Sequence, residues 1–195
     1  MHDSYVKNEA RGYISFAATE RNLTNIPDYT VNVHNENSDD VFTLSDAKNY
    51  LYLINPSEEF SGKGDFLNQL KATNYDLLII DRDIDGESYS SADISSLKWK
   101  ANGGRRLVIC YMSIGEAEDY RSYWQKEWKK RKTSPDWLYP ENNKWRGNYK
   151  VFYWMDEWKK IIYRGESSYL QSILDLGFDG AFLDVIDAYE YYEDL

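Results

Sequence analysis

Three short apolar runs, each delivered to an acidic residue, limit what this chain can fold into. They are Asp76-Leu77-Leu78-Ile79-Ile80-Asp81, Arg106-Leu107-Val108-Ile109-Cys110-Tyr111-Met112-Ser113-Ile114-Gly115-Glu116, and Gly177-Phe178-Asp179-Gly180-Ala181-Phe182-Leu183-Asp184. Runs of this length and polarity are the pattern of strands buried on both faces, and helical spacing lies between them. Strands alternating with helices build a parallel sheet, whose functional residues gather at the C-terminal ends of the strands. Asp81, Glu116, Asp184 and Asp187 all fall on that rim.

The remaining elements follow in chain order. Tyr50–Ile54 predicts a strand stopped by Asn55-Pro56, because proline has no amide hydrogen to give a ladder. Phe66, Leu67 and Leu70 share a helical face over Asp65–Lys71, which completes a strand, helix, strand unit with Leu77–Ile80. Ser90-Ser91-Ala92-Asp93 has the spacing of a capping box, opening a helix through Leu97 and Trp99 that stops at Gly103-Gly104. Tyr120, Tyr123, Trp124 and Trp128 recur at helical spacing and predict a helix over Asp119–Lys132. Its second half, with Lys126, Lys129, Lys130, Arg131 and Lys132, reads as a solvated end.

Residues 133–155 read as a long connection carrying Trp137, Tyr139, Trp145 and Tyr149, with a candidate strand at Lys150–Trp154. Asp156–Tyr163 and Glu166–Leu176 predict helices. Residues 1–45 read as an irregular leading segment with a candidate strand at Tyr13–Ala17, turn-forming residues over Asn22–Asp40, and a second capping-box spacing at Thr43-Leu44-Ser45-Asp46. The expected division is therefore 1–45 and 46–195. A weak internal repeat supports βα units: Tyr75-Asp76 before Asp81 matches Phe178-Asp179 before Asp184.

Charge and composition exclude several classes. With 33 acidic against 23 basic residues the net charge is −10, which argues against nucleic acid or an anionic membrane surface as partner. No apolar run reaches the roughly 18 residues of a membrane span, and Met1-His2-Asp3-Ser4 does not begin a signal peptide. Cys110, the only cysteine, lies within an apolar strand and reads as a small buried hydrophobe. His2 and His34 both lie in the leading segment, giving no support to a catalytic triad or a histidine metal cluster. Asp81-Arg82-Asp83-Ile84-Asp85-Gly86 imitates a calcium loop, but Ala92 stands where the bidentate glutamate belongs. No glycine-rich phosphate loop is present, and no cofactor is expected.

Cleavage of a glycosidic bond needs two carboxyl groups, one to protonate the leaving oxygen and one to attack carbon or activate water. The strand-end acids could supply such a pair. The 18 Tyr and 7 Trp exceed what a core of this size needs and suit a surface that stacks on sugar rings.

Tyr111-Met112-Ser113-Ile114-Gly115-Glu116-Ala117-Glu118-Asp119-Tyr120-Arg121, Trp145-Arg146-Gly147-Asn148-Tyr149 and the stretch Phe178–Tyr189 together resemble the endo-alpha-1,4-polygalactosaminidase-like glycoside hydrolases, family 114, and their uncharacterised relatives. The resemblance covers residue 50 or so to the end. It implies a (β/α)₈ TIM-barrel fold of the α/β class, an amino-sugar polysaccharide substrate, a retaining two-carboxylate mechanism and an extracellular or cell-surface location. Asp184 matches the expected nucleophile, Glu116 an acidic motif position, and Asp81 the place of a further site acid. Asp187 and Tyr189 are expected as supports, and Tyr111, Trp145, Tyr149 and Trp154 as substrate-binding rings.

The 195 residues are short of the roughly 250 of a complete barrel, so a partial or rearranged barrel is the expectation. The resemblance implies an acid/base glutamate on a later strand, whereas this chain reaches Leu195 soon after Asp184, and residues 11–27 resemble the segment with which some relatives finish their barrel. A fragment, or a shortened relative completed by a second chain, is expected. A non-catalytic carbohydrate-binding module is the alternative function, and a protein-interaction domain using the aromatic surface is a third.

Overall fold

The computed structural model describes residues 2–28, 33–56 and 59–193. Residues 29–32, within the stretch expected to be rich in turns, lie outside the described residues, as does the side chain of His2. The chain divides into two units. The first comprises Met1–Tyr111 with Leu176–Gly180, and the second Met112–Asp175 with Ala181–Leu195.

In the first unit, helix α1 (His2–Glu9) opens the segment expected to be irregular. Residues 13–17 form no strand. A short 3₁₀ turn at Leu44–Asp46 is held where its capping spacing predicts: the Asp46 carboxylate accepts the Thr43 N–H at 2.8 Å and the Phe42 N–H at 3.1 Å. Strand β1 (Leu51–Leu53), helix α2 (Lys63–Lys71) and strand β2 (Leu77–Ile80) form the expected βαβ unit. Phe66, Leu67 and Leu70 are the buried face of α2. All four residues of β2 are buried, as a parallel strand covered on both faces requires.

The calcium-like stretch is a β-hairpin, β3 (Asp83–Ile84) with β4 (Glu87–Ser88). Its turn places Asp85 and Gly86 at φ of 52° and 76°, the conformation of a tight hairpin turn. Helix α3 (Ser91–Leu97) has the capping box read from sequence: Ser90 Oγ accepts the Asp93 N–H at 3.1 Å and the Asp93 carboxylate accepts the Ser90 N–H at 2.8 Å. It ends at Leu97, short of Gly103-Gly104. Those glycines instead form a turn in which Gly104 passes so close to Ser38 that a Cβ would stand 2.5 Å from its carbonyl oxygen.

Strand β5 (Leu107–Ser113) begins in this unit and continues into the second. The paired acids of the internal repeat have matching structural roles. Asp76 is fully buried, accepting Lys100 Nζ at 2.8 Å and the Lys48 N–H at 2.8 Å. Asp179 accepts Lys98 Nζ at 2.7 Å and the Val108 N–H at 2.9 Å. In both, a lysine neutralises a carboxylate that also caps a backbone donor at the edge of a strand.

The second unit departs further from expectation. No α-helix forms over 119–132. Bonds of the i to i−3 kind, such as Trp124 N–H to Arg121 O at 3.0 Å, wind turns and a 3₁₀ segment at Lys126–Lys129. The aromatic periodicity has another cause. Trp124 packs on Tyr149, Trp128 on Trp137, and Tyr123 on Trp158 and Tyr169, so these rings spread over several neighbours instead of one helical stripe. Tertiary packing overrides local spacing here.

The long connection supplies two strands, β7 (Leu138–Glu141) and β8 (Asn148–Val151), the second close to the candidate strand at Lys150–Trp154, and with β6 (Glu116–Glu118) they form a three-stranded antiparallel sheet in the order β6-β8-β7. Helices α4 (Asp156–Ile162) and α5 (Tyr169–Asp175) follow as read, somewhat shorter than expected. Strand β9 (Gly180–Asp184) and helix α6 (Ala188–Glu193) close the described chain. The strands β1-β2-β5-β9 are hydrogen-bonded in that order in one sheet, with β1–β2 and β2–β5 parallel. The described residues thus contain four strands of an α/β sheet and not a closed eight-stranded barrel.

Candidate functional site

Strands β5 and β9 deliver their C-terminal ends side by side in the second unit. The Ile114 N–H, just past β5, donates to the carbonyl of Asp184 at 3.1 Å. Asp184 is half-buried at the last position of β9. Val185 follows at φ 57°, a left-handed conformation that costs a β-branched residue roughly 1–2 kcal/mol. The chain turns sharply there, and Gly115 makes room for it: a Cβ at 115 would lie 2.3 Å from the Val185 carbonyl oxygen and 2.6 Å from Ala188 Cβ. The motif Ser113-Ile114-Gly115-Glu116 therefore contains a glycine because the segment after Asp184 passes directly against it.

Glu116 opens β6 and is 3% exposed. Its Oε1 accepts Asn142 Nδ2 at 2.7 Å and Lys150 Nζ at 3.3 Å, and its Oε2 accepts Asn148 Nδ2 at 3.4 Å. Both oxygens are thus held by the antiparallel sheet, where Glu116 faces Lys150 in register. Glu118, two residues on, is buried with Arg121 at 2.6 Å and accepts the Tyr120 hydroxyl at 2.6 Å. The second half of the Tyr111–Arg121 motif is accordingly an anchor for the sheet.

The other expected residues lie on several elements of the two units. Asp81, in the first unit, follows β2 and accepts the backbone N–H groups of Arg82 and Asp83. Tyr111 is only 7% exposed within β5. Asp187 and Tyr189 lie on the turn and helix after Asp184, Tyr189 well exposed. Tyr149 packs tilted against Trp124 at 4.8 Å, and burial raises its phenol above the usual value. Trp145 is exposed on the turn between β7 and β8, and Trp154 is exposed just after β8.

Residues that the sequence reading did not single out complete the surroundings of Glu116. Lys150 Nζ lies 4.2 Å from the ring centre of Tyr191. Tyr192 donates its hydroxyl to the Val151 carbonyl at 2.8 Å, and burial, then Tyr191, Tyr139 and Glu116, raise its pKa. The doublet Tyr191-Tyr192 was visible as an aromatic pair after Asp187. Its pairing with β8, some 40 positions away, left no local signal.

A cavity of about 500 Å³ lies in the second unit, with Met112, Ile114, Trp158, Ile162, Leu183 and Ile186 among its walls. Its lining is mostly apolar, with Lys159, Tyr153, Tyr163 and Tyr189 also among its walls, and neither Glu116 nor Asp184 lines it. Among the described residues no group of three His, Cys, Asp or Glu is placed to hold a metal ion, and no helix is long and apolar enough to cross a membrane.

The model of glycoside-hydrolase family GH114 matches residues 52–195. The chain belongs to this family. It is 45% identical over 129 residues to an uncharacterized protein of Methanocaldococcus jannaschii, covering 65% of this chain and 34% of that protein. It is 36% identical over 124 residues to an uncharacterized protein of Thermotoga maritima, with 64% and 36% covered. An uncharacterized protein of Deinococcus radiodurans is 37% identical over 128 residues, with 65% and 38% covered. The matched region thus spans little more than a third of these relatives.

Proposed function

We propose that this chain carries the nucleophile-bearing part of a glycoside hydrolase that cleaves an amino-sugar polysaccharide, polygalactosaminide-like, with retention. The observation that carries the reading is Asp184 at the C-terminal end of β9, beside the end of β5, in a chain of family GH114. In this reading Asp184 attacks the anomeric carbon and forms a glycosyl ester, a proton passes to the leaving oxygen from a second carboxyl group, and water then hydrolyses the ester. Glu116 is the candidate donor within this chain, and Asp81 a further site acid. Asp187 and Tyr189 support Asp184, while Tyr111, Trp145, Tyr149 and Trp154 bind sugar. A location outside the cell fits a polymeric substrate.

Completion by further βα segments, in a longer chain or a second one, belongs to the same reading. Leu183, within β9, is 46% exposed, whereas parallel strands are ordinarily covered on both faces.

The test is hydrolysis of galactosamine oligomers followed by reducing ends. Turnover abolished by Asp184→Asn is expected, and turnover that survives this change refutes the nucleophile. A second reading, a carbohydrate-binding module, is favoured by one observation: both oxygens of Glu116 are already held by Asn142, Asn148 and Lys150. Calorimetry separates the two, since the module binds the same oligomers without cleaving them.

A further inference from the structure

Ahead of β5 the first unit exposes large apolar side chains around Arg105. Trp99 pairs with Arg105 in an antiparallel bridge, flanked by bonds from the Arg106 N–H to the Lys98 carbonyl at 2.9 Å and from the Lys100 N–H to the Gly104 carbonyl at 2.8 Å. Residues paired in this way stand directly opposite and send their side chains to the same face. The Arg105 carbonyl accepts the Val41 N–H at 3.1 Å, which brings the next residue alongside: the guanidinium carbon lies 5.3 Å from the centre of the Phe42 ring. Phe42 is 63%, Leu44 65% and Trp99 55% exposed. Because β2 and β5 run parallel with Leu77 beside Leu107, this surface lies at the opposite end of the strands from Asp81.

The charge of Arg105 is loosely held. Asp179 stands 3.9 Å from its Nη2, and the Asp179 oxygens already accept Lys98 Nζ at 2.7 Å and the Val108 N–H at 2.9 Å. The Asp40 carboxylate accepts the backbone N–H of Arg105 at 2.8 Å. Arg105 Nε is buried and has no acceptor among the described residues, while 34% of the side chain stays open. A guanidinium in this state takes a carboxylate through two parallel N–H bonds, and an arginine beside exposed aromatic rings is the composition that carries most of the energy in protein interfaces. The apolar area of Phe42, Leu44 and Trp99 is more than a small anion covers, so the fitting partner is an extended segment with both carboxylates and apolar side chains. The net charge of −10 disfavours nucleic acid and anionic membranes, and Arg105 repels the ammonium groups of an amino-sugar polymer.

We infer that Phe42, Leu44, Trp99 and Arg105 form a docking surface for an acidic, apolar peptide segment of a partner protein. A carboxylate of the segment pairs with Arg105, and its apolar side chains cover the rings. The inference goes beyond the glycosidase reading and uses none of the residues named for that reaction.

The test is anisotropy titration of the full chain with short, terminally blocked, fluorescein-labelled peptides of alternating glutamate and leucine, glutamine and leucine, or glutamate and serine. The glutamate–leucine peptide is expected to bind at least about tenfold more tightly than either of the others. Arg105→Gln and Trp99→Ala should each weaken it about tenfold, and Phe42→Ala somewhat less. Arg105→Lys restores only part of the affinity, since it keeps the charge and loses the fork. Trp145→Ala, which removes an exposed tryptophan of the second unit, changes nothing. Unchanged circular dichroism establishes that the variants fold, and Arg105→Gln keeps the test decisive where Trp99→Ala alters the spectrum. Binding by Arg105→Gln equal to that of the wild type overturns the surface, as does a wild type that binds no peptide or binds all three alike. Sedimentation that shows self-association abolished by Trp99→Ala also overturns the assignment, by making a second copy of this chain the occupant.

Discussion

Replacing Gly115 by alanine tests whether the turn after Asp184 is packed as described. Gly115 does not need a left-handed backbone, so alanine would ordinarily stabilise the chain by about 0.4–1 kcal/mol through the unfolded state. The contacts reverse that expectation. The added Cβ would stand 2.3 Å from the Val185 carbonyl oxygen, 2.6 Å from Ala188 Cβ and 3.0 Å from Val185 Cγ1. Two of these neighbours are backbone or stub atoms that no rotamer change can move, so the 185–188 segment must shift by roughly 1 Å to regain ordinary contact. Overpacking of this kind costs about 1–3 kcal/mol. On the role proposed for Asp184, a shift of that size next to its carboxylate also lowers turnover by about 10²-fold. Urea denaturation followed by tryptophan fluorescence reads the first effect, and reducing-end release the second. Gly64→Ala in α2 is the control, since nothing lies within 4 Å of its added Cβ, and it should gain about 1 kcal/mol. A Gly115→Ala protein as stable as the wild type refutes the close approach and, with it, the proposed support of Asp184.

Four further outcomes follow from particular contacts. Lys100→Met leaves the buried Asp76 carboxylate without its cation and the Asp39 carbonyl without its 2.6 Å donor, and should cost about 3–5 kcal/mol in urea denaturation; a loss below 1 kcal/mol contradicts a fully buried pair. Val185→Gly relieves the φ of 57° and should raise stability by up to about 1 kcal/mol despite the lost side chain; a clear destabilisation would mean that Val185 packing outweighs backbone strain. Ser90→Ala should cost about 1 kcal/mol as α3 loses its cap. The Ser90 N–H, then the Ser90 hydroxyl and Lys63, hold the Asp93 carboxyl below 3.8, so its contribution is present above that pH and lost as pH falls through the lower folded value. In Asp93→Asn, acid denaturation should therefore begin from a lower plateau and show a shallower slope below pH 3.8, and an unchanged slope counts against the cap.

Elements whose cause is local were legible in the sequence. Buried runs such as Leu77–Ile80 are strands because four branched residues in a row are too few for a helix and pack well on a sheet covered on both faces. The Ser90 and Thr43 caps were readable because a carboxylate three residues on reaches its own backbone. The acid at the end of β9 was likewise placed by the length of its apolar run. The elements that were misread depend on partners distant in the chain. The rings of 120–128 have helical spacing but turn to Tyr149, Trp137, Trp158 and Tyr169, and Glu116 looks like a free strand-end acid until Asn142, Asn148 and Lys150 close on it.

The sequence by itself determined the parallel βα units, the family and Asp184 at a strand end, because short-range burial and a few fixed motifs decide these. Only the tertiary structure decided that β6, β7 and β8 form an antiparallel sheet and that Gly115 yields to the turn after Asp184. It also decided that Phe42 stands against Arg105. Each of these depends on contacts between residues dozens of positions apart, whose energies outweigh local propensity once the chain is folded.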